Sequence, residues 1–276
     1  MAWNPSQYLK FAAPRLRPAL DLLARVDLDA PRLVYDLGCG AGQLTRLMAE
    51  RWPAARVIGV DSSPAMLEAS RAQAEGGAGA GGPDAPGGIG WMQADLAAWR
   101  PDPDTLAACG GPPQLLYSNA ALHWLPGHAE LFPRLLATLA PGGVLAVQMP
   151  RNFNAPSHTL VAATVQAGPW RARLAALPTR SPVAEPAWYH DLLAPLAASV
   201  ELWETEYLQV LTGPDPVKEF TKGTWLAQFL DALADEDERA RFEADYAARV
   251  REAYPTRADG TTLFPFRRLF MVVRAR

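Results

Sequence analysis

The run Leu33-Val34-Tyr35-Asp36-Leu37-Gly38-Cys39-Gly40-Ala41-Gly42 is the first place where this chain offers chemistry. An apolar, β-prone stretch carries an acid, Asp36, and passes into a G-x-G-x-G loop formed by Gly38, Gly40 and Gly42. A helix-like segment, Gln43 to Arg51, follows at once. Such a loop turns sharply and lets a ligand approach the backbone with no Cβ in the way. The spacing narrows the ligand. A dinucleotide fold wants G-x-G-x-x-G, yet position 43 is Gln and the third glycine comes one residue early. A nicotinamide or flavin dinucleotide is disfavoured, which leaves another nucleotide-sized ligand. Cys39 reads as a small packing residue of the loop rather than a nucleophile.

The elements that must position these residues alternate from residue 33 onward. Leu33–Gly38 reads as a strand, Gln43–Arg51 as a helix and Arg56–Asp61 as a second strand ending in an acid. The next helix has Ser63 as N-cap and Pro64 at its first position. Residues 75–88 are almost all Gly, Ala, Pro and Glu, a surface insertion without chemistry. Strands return at Ile89–Asp95, Gln114–Asn119 and Gly143–Met149, with a helix over Glu130–Leu139. This rhythm predicts an α/β fold, a parallel sheet with helices on both faces. Beyond residue 151 the rhythm breaks. Residues 151–180 read as irregular and Pro-rich, Trp188–Ala198 as helix, and Val200–Leu211 as a long strand. Residues 214–254 read as helical and Leu263–Arg274 as a final β run.

In open α/β sheets ligands bind beyond the carboxyl ends of the strands. That rule adds Asp61, about 20 residues past the glycines, where an acid meets a ribose diol. A carboxylate accepts both hydroxyl protons. The competing reading of Asp61 is helix capping, for which Ser63 is better placed. After the third strand, Asp95 could accept from an adenine amino group while the Leu96 amide donates to the ring; Asp95 also reads as a turn cap. After the fourth strand, Asn119 and Ala120 come where the sheet opens. His123 is either a satisfied turn histidine or an acceptor-side group, and Trp124 either core or part of the acceptor site.

Bulk properties exclude other classes. With 276 residues, 49% of them hydrophobic, the chain can bury a full core as one large domain or one domain with a cap. A net charge of −3 without a Lys/Arg run argues against a surface that coats nucleic acid. Two cysteines, Cys39 and Cys109, make no disulfide framework. The four histidines at 123, 128, 158 and 190 make no metal-ligand pattern. With no basic-then-apolar opening and no bilayer-length apolar run, a soluble cytoplasmic protein is expected.

The glycine loop, the second-strand acid, the Asp after strand three and the polar turn after strand four resemble class I S-adenosylmethionine (SAM) methyltransferases. Further segments narrow the resemblance to the trans-aconitate 2-methyltransferase family. They are Trp3–Leu9, Arg51–Arg56, Asp61–Met66, His123–Pro126, Glu130–Pro133, Gly143–Pro150 and Arg268–Phe270. The similarity runs almost end to end and is thinner across 151–260. The stretch at 75–88 and a Thr105–Pro113 loop look like extra length. The resemblance implies a Rossmann-like fold with a mostly parallel seven-stranded sheet, an antiparallel last strand and a helical cap. Residues 1–276 would form a single methyltransferase domain. Within it 30–150 would be the SAM-binding core and 1–25, 151–185 and 214–260 the cap. It also implies SAM as cofactor, held by Tyr8, Asp36, Gly38, Cys39, Gly40, Gly42, Asp61, Ser62, Met66, Asp95, Leu96, Asn119 and Ala120. Tyr8 and Trp3 are either a lid over the sulfonium, which an aromatic face attracts, or inward-packed helix aromatics.

That family esterifies one carboxylate of trans-aconitate. A carboxylate is already ionised at neutral pH, so it attacks the methyl group without a general base, and no catalytic side chain or metal is expected. Alignment and water exclusion would supply the rate. A tricarboxylate needs local cations. Arg151 follows the fifth strand, and Arg267 and Arg268 stand near the start of an antiparallel last strand. Adjacent strand residues face opposite ways, so one of the pair enters the site, and Arg268 is favoured. An arginine fork matches a carboxylate bidentately. His123, Trp124, His190 and Lys222 complete the substrate candidates. The partner expected is a small polycarboxylate, without nucleic acid or membrane, and the chain a monomer or weak homodimer. The alternatives are another small-molecule acceptor on the same fold, or a SAM-binding protein without turnover.

Overall fold

The computed structural model describes residues 12–74, 88–177 and 183–276. Trp3, Tyr8 and residues 75–87 of the expected insertion lie outside them. The chain runs α1 (Ala12–Ala24), β1 (Leu33–Leu37), α2 (Gln43–Arg51), β2 (Arg56–Asp61) and α3 (Pro64–Ala74). It continues as β3 (Ile89–Gln93), α4 (Pro103–Ala108), β4 (Leu115–Asn119), a 3-10 turn (Leu122–Trp124), α5 (His128–Ala137) and β5 (Val144–Pro150). Then come α6 (Pro156–Ala167), α7 (Arg171–Leu174), α8 (Pro186–Leu193) and β6 (Ala197–Leu211). The last elements are α9 (Pro216–Lys222), α10 (Ala227–Asp231), α11 (Glu236–Ala253) and β7 (Thr262–Ala275).

The strands form one seven-stranded sheet of order β3-β2-β1-β4-β5-β7-β6. β1 pairs in parallel with β2 and β4, β2 with β3, and β4 with β5. β7 is antiparallel. Ala275 N–H donates to Gly143 O at 2.8 Å and Arg151 N–H to Arg267 O at 2.9 Å, so one strand rises as the other descends. Beside β7, Trp203 stacks on Phe270 with centroids 4.9 Å apart, and Arg276 Nε donates to Ala197 O at 3.1 Å. Every residue of β1 is buried, as befits a strand covered by helices on both faces.

By contacts the chain divides into two units. The first holds the described residues of 18–149, together with 183–204 and 269–276, and its core is aliphatic around Leu33, Val34, Val57, Val60, Leu116 and Val147. The second holds 12–17, 150–177 and 205–268, and its core is aromatic: Trp170, Phe220, Trp225, Phe229, Phe242, Tyr246, Phe264 and Phe266. β6 and β7 contribute to both. Among the described residues no helix is long and apolar enough to cross a membrane.

Several boundaries differ from the sequence expectation. The described residues of 151–180, which end at 177, are not irregular, because α6 starts with Pro156 as its first helical residue, where a missing N–H costs nothing. The expected Thr105–Pro113 loop begins inside α4, whose Asp102 cap accepts from Thr105 N at 2.9 Å. The helix expected over Trp188–Ala198 ends at Leu193, and Ala197 already belongs to β6. The helix expected at Glu130 begins two residues earlier, after Gly127 takes a left-handed φ of 71°.

Candidate functional site

The carboxyl ends of β1 and β2 build one rigid loop in the first unit. Gly38 and Cys39 N–H groups donate to Val60 O at 2.8 and 3.1 Å. Beneath them Asp36, 2% exposed, accepts from Thr45 Oγ at 2.6 Å, which joins β1 to α2. Above them Asp61 accepts from Gly40 N–H through Oδ2 and from Ser63 N–H through Oδ1, both at 2.9 Å. Ser70 Oγ donates to Gly40 O at 3.0 Å. Gly40 is therefore gripped by both backbone groups at φ 54°, and a Cβ there would point into open space. Gly42, at φ 74°, is glycine for a second reason: a Cβ would lie 2.2 Å from the Trp91 ring.

Charge on this loop is tightly graded. Burial pushes the Asp36 carboxyl up to about 7, the nearby Asp61 charge adds to the effect, and the Thr45 hydrogen bond opposes it. Burial and the same two acids push the Cys39 thiol upward. It stays protonated at neutral pH and is no nucleophile. Asp61 keeps spare lone pairs on both oxygens, since each takes a single hydrogen bond.

Farther along the same edge, Asp95 is exposed and accepts from Ala97 N at 2.9 Å through Oδ1, the turn-capping role. Its Oδ2 makes no hydrogen bond among the described residues. Leu96 beside it is buried. Asn119 ends β4, and its buried Oδ1 has no hydrogen-bond partner among the described residues. Ala120 takes a φ of 53°, and its N–H donates to Gln148 O at 2.9 Å. A non-glycine residue in that region is strained and persists only where its surroundings hold it. Ser62 is exposed and Met66 buried at the start of α3.

The acceptor-side candidates divide between the units. In the first, His123 is 6% exposed with its ring 4.6 Å from Trp124, whereas Trp124 is 49% exposed and so is not core. His128 pins this turn: one ring nitrogen bonds Leu122 O at 3.0 Å and the other Tyr189 OH at 2.6 Å. His190 is exposed and lies 3.4 Å from Asp191. In the second unit, Arg268 is 4% exposed with its guanidinium 4.7 Å over the Phe266 ring. Its neighbour Arg267 is exposed and pairs with Glu206 at 3.8 Å. Arg151 is level with both through its backbone bond to Arg267. Lys222 is engaged with Glu243 at 2.7 Å. Sequence reasoning missed Thr45, Ser70, Trp91 and His128. None stands in the glycine motif, and each is found only through contacts across the fold.

Residues 34–143 match the family described as a methyltransferase domain. The chain is 50% identical to the trans-aconitate 2-methyltransferase of Azoarcus sp. (strain BH72), over 98% of each chain. It is 45% identical to the protein of that name from Methylobacterium radiotolerans, over 99% of this chain and 98% of the other. A solved Haemonchus contortus phosphoethanolamine N-methyltransferase 2, in complex with S-adenosyl-L-methionine, shares the fold at 13% identity and a TM-score of 0.53, over 98% of this chain and 56% of that one. Identity of 45–50% over nearly the whole length of these relatives shows the family: the chain belongs to the trans-aconitate 2-methyltransferase family.

Proposed function

We propose that this protein transfers the methyl group of SAM to a carboxylate oxygen of trans-aconitate, giving the monomethyl ester and S-adenosylhomocysteine. The observation that carries the cofactor half is the Asp61 clamp, a carboxylate with lone pairs to spare beside an open-faced Gly40. The acceptor rests on the likeness to relatives bearing that name. The strand-end groups suit SAM. Asp61 accepts the ribose hydroxyls, the free Asp95 oxygen accepts an adenine amino proton, and the Asn119 Oδ1 accepts from an ammonium group. Gly38, Cys39, Gly42, Ser62, Met66, Leu96 and Ala120 shape the walls, and Asp36 holds the loop from below through Thr45. When bound, the sulfonium supplies an activated methyl group.

The side chains then have one task, to hold an ionised acceptor in line with that group. A carboxylic acid with a pKa near ~4 is deprotonated at neutral pH, so no residue needs to remove a proton. Arg268 and Arg151 together hold a carboxylate that does not react, with His123, Trp124, His190 and Lys222 as lesser candidates. Fixing both reactants and excluding water are worth several powers of ten in rate. The enzyme acts in the cytoplasm on a small polycarboxylate, as a monomer or weak homodimer, with residues 151–185 and 214–260 serving as the acceptor-binding cap. Incubation with methyl-labelled SAM and a panel of organic acids tests the proposal. Label in an ester of trans-aconitate is expected; label only in other acids sinks the acceptor, and tight SAM binding with no transfer sinks the activity.

A further inference from the structure

In the second unit, the segment after β5 returns into α6 through a chain of hydrogen bonds. The Arg267 N–H donates to Asn152 Oδ1 at 3.2 Å, and Asn152 Nδ2 donates to Ser157 Oγ at 3.2 Å. Ser157 Oγ and His158 Nδ1 lie 3.0 Å apart, and the tautomer in which the hydroxyl donates to Nδ1 carries the imidazole proton on Nε2. Ser157 itself is pinned on both sides, its N–H by Tyr254 OH and its carbonyl by Tyr246 OH. Burial pushes His158 down to about 4, so at neutral pH the ring is an uncharged donor.

Two aromatic rings meet that imidazole. Trp225 lies 5.5 Å from it and Phe153 5.1 Å, and these two are 5.3 Å apart, edge to face. Trp225 is only 6% exposed, and its buried Nε1–H has no hydrogen-bond partner among the described residues. The His158 Nε2 makes no hydrogen bond among them either. A buried donor left unmade is destabilising, and in native structures such donors are met by water or ligand. The N–H groups at the start of α6 cannot serve, because those of Ser157, His158 and Thr159 are spent on Tyr254 and Ala155. The cations are close by in the chain: Arg151 is two residues before Phe153, and Arg268 follows the residue that anchors Asn152.

We infer that Trp225 Nε1–H and His158 Nε2–H form a neutral carboxylate-recognition site, holding one non-reacting carboxylate of the acceptor. This rests on the carboxyl-methylation reading. An acceptor with three carboxylates leaves two to be held while one reacts. Arginine takes one by charge. A pair of neutral donors takes the other and sets specificity, because an analogue lacking that carboxylate leaves both donors unpaired.

Trp225→Phe keeps an aromatic ring, smaller than the indole, and removes the donor. The KM for trans-aconitate is expected to rise about ten- to hundredfold, with the KM for SAM unchanged. Preference for trans-aconitate over a dicarboxylate analogue lacking one carboxylate falls with it. An unchanged KM and an unchanged preference overturn the inference. If the wild-type protein methylates no polycarboxylate, the functional reading fails separately, and binding then tests the site. With S-adenosylhomocysteine present, titration of 15N-tryptophan-labelled protein with trans-aconitate should move an indole N–H resonance that the Trp225→Phe spectrum lacks. No moving indole resonance overturns the inference, and this readout needs only wild-type protein should the variant not fold.

Discussion

Asp36→Asn separates the cost of a buried charge from the value of the loop it supports. The side chain is 2% exposed and bonds Thr45 whether charged or neutral. In the unfolded chain the carboxyl ionises at 3.8, in the folded chain at about 7, because burial penalises the charge and Asp61 repels it. Between these values the folded chain binds the extra proton. Stability from this group is therefore complete below the unfolded value and is lost as pH rises through the folded one. At ~1.36 kcal/mol per pH unit, the loss is roughly 2.5 kcal/mol between pH 5 and 8. Asparagine cannot ionise, so the variant lacks this dependence, while its new amide adds only a constant offset. Urea unfolding of both proteins at pH 5, 6, 7 and 8 measures the difference, in which other titrating groups cancel. The variant should gain on the wild type steadily from pH 5 to 7 and level off by 8. A difference flat across the series would mean that Asp36 ionises in the folded protein as it does in water, refuting the burial argument.

Asp61→Ala should weaken SAM binding by ~1.5–3 kcal/mol for each charge-assisted hydrogen bond lost; unchanged affinity by calorimetry would rule out the ribose role. Gly42→Ala meets the Trp91 ring at 2.2 Å in a left-handed conformation and should cost about 2–5 kcal/mol, read as a fall in melting temperature. Gly40→Ala faces open space, so it should cost only the backbone term of ~1–2 kcal/mol while impairing SAM binding disproportionately. Arg268→Ala should raise the acceptor KM far more than the SAM KM, whereas Arg267→Ala, exposed beside Glu206, should change neither; equal shifts in both KM values would make Arg268 structural.

The strands of the first unit were legible because burial on both faces leaves a continuous apolar run, as in Leu33-Val34-Tyr35 and Val144-Leu145-Ala146-Val147. Proline misled where it opens a helix instead of ending one. Pro103, Pro156 and Pro186 each stand at the first helical position, yet in sequence only Pro64 reads that way, because Ser63 stands before it as a recognisable cap. Asp102 caps the helix in the same way before Pro103, but it lies in a Pro-rich stretch that reads as loop.

The site was legible to the extent that its contacts are local or recur at a strand period. Strand alternation separates Arg267 from Arg268 without coordinates, and the structure leaves one exposed and the other buried over Phe266. What alternation cannot supply is a partner. Lys222 is a plausible cation in sequence, but Glu243, 21 residues on, already holds it. Trp91 is one apolar residue among many until the fold sets its ring against Gly42. Trp225 is the sharpest case, since a tryptophan beside Leu226 reads as core, and so its indole ring is. Only the unanswered N–H marks it as more than packing. A hydrogen bond that is missing, unlike one that is made, leaves no trace in residue spacing, so ligand-directed donors of this kind become visible only once every other donor in the fold has been matched to its acceptor.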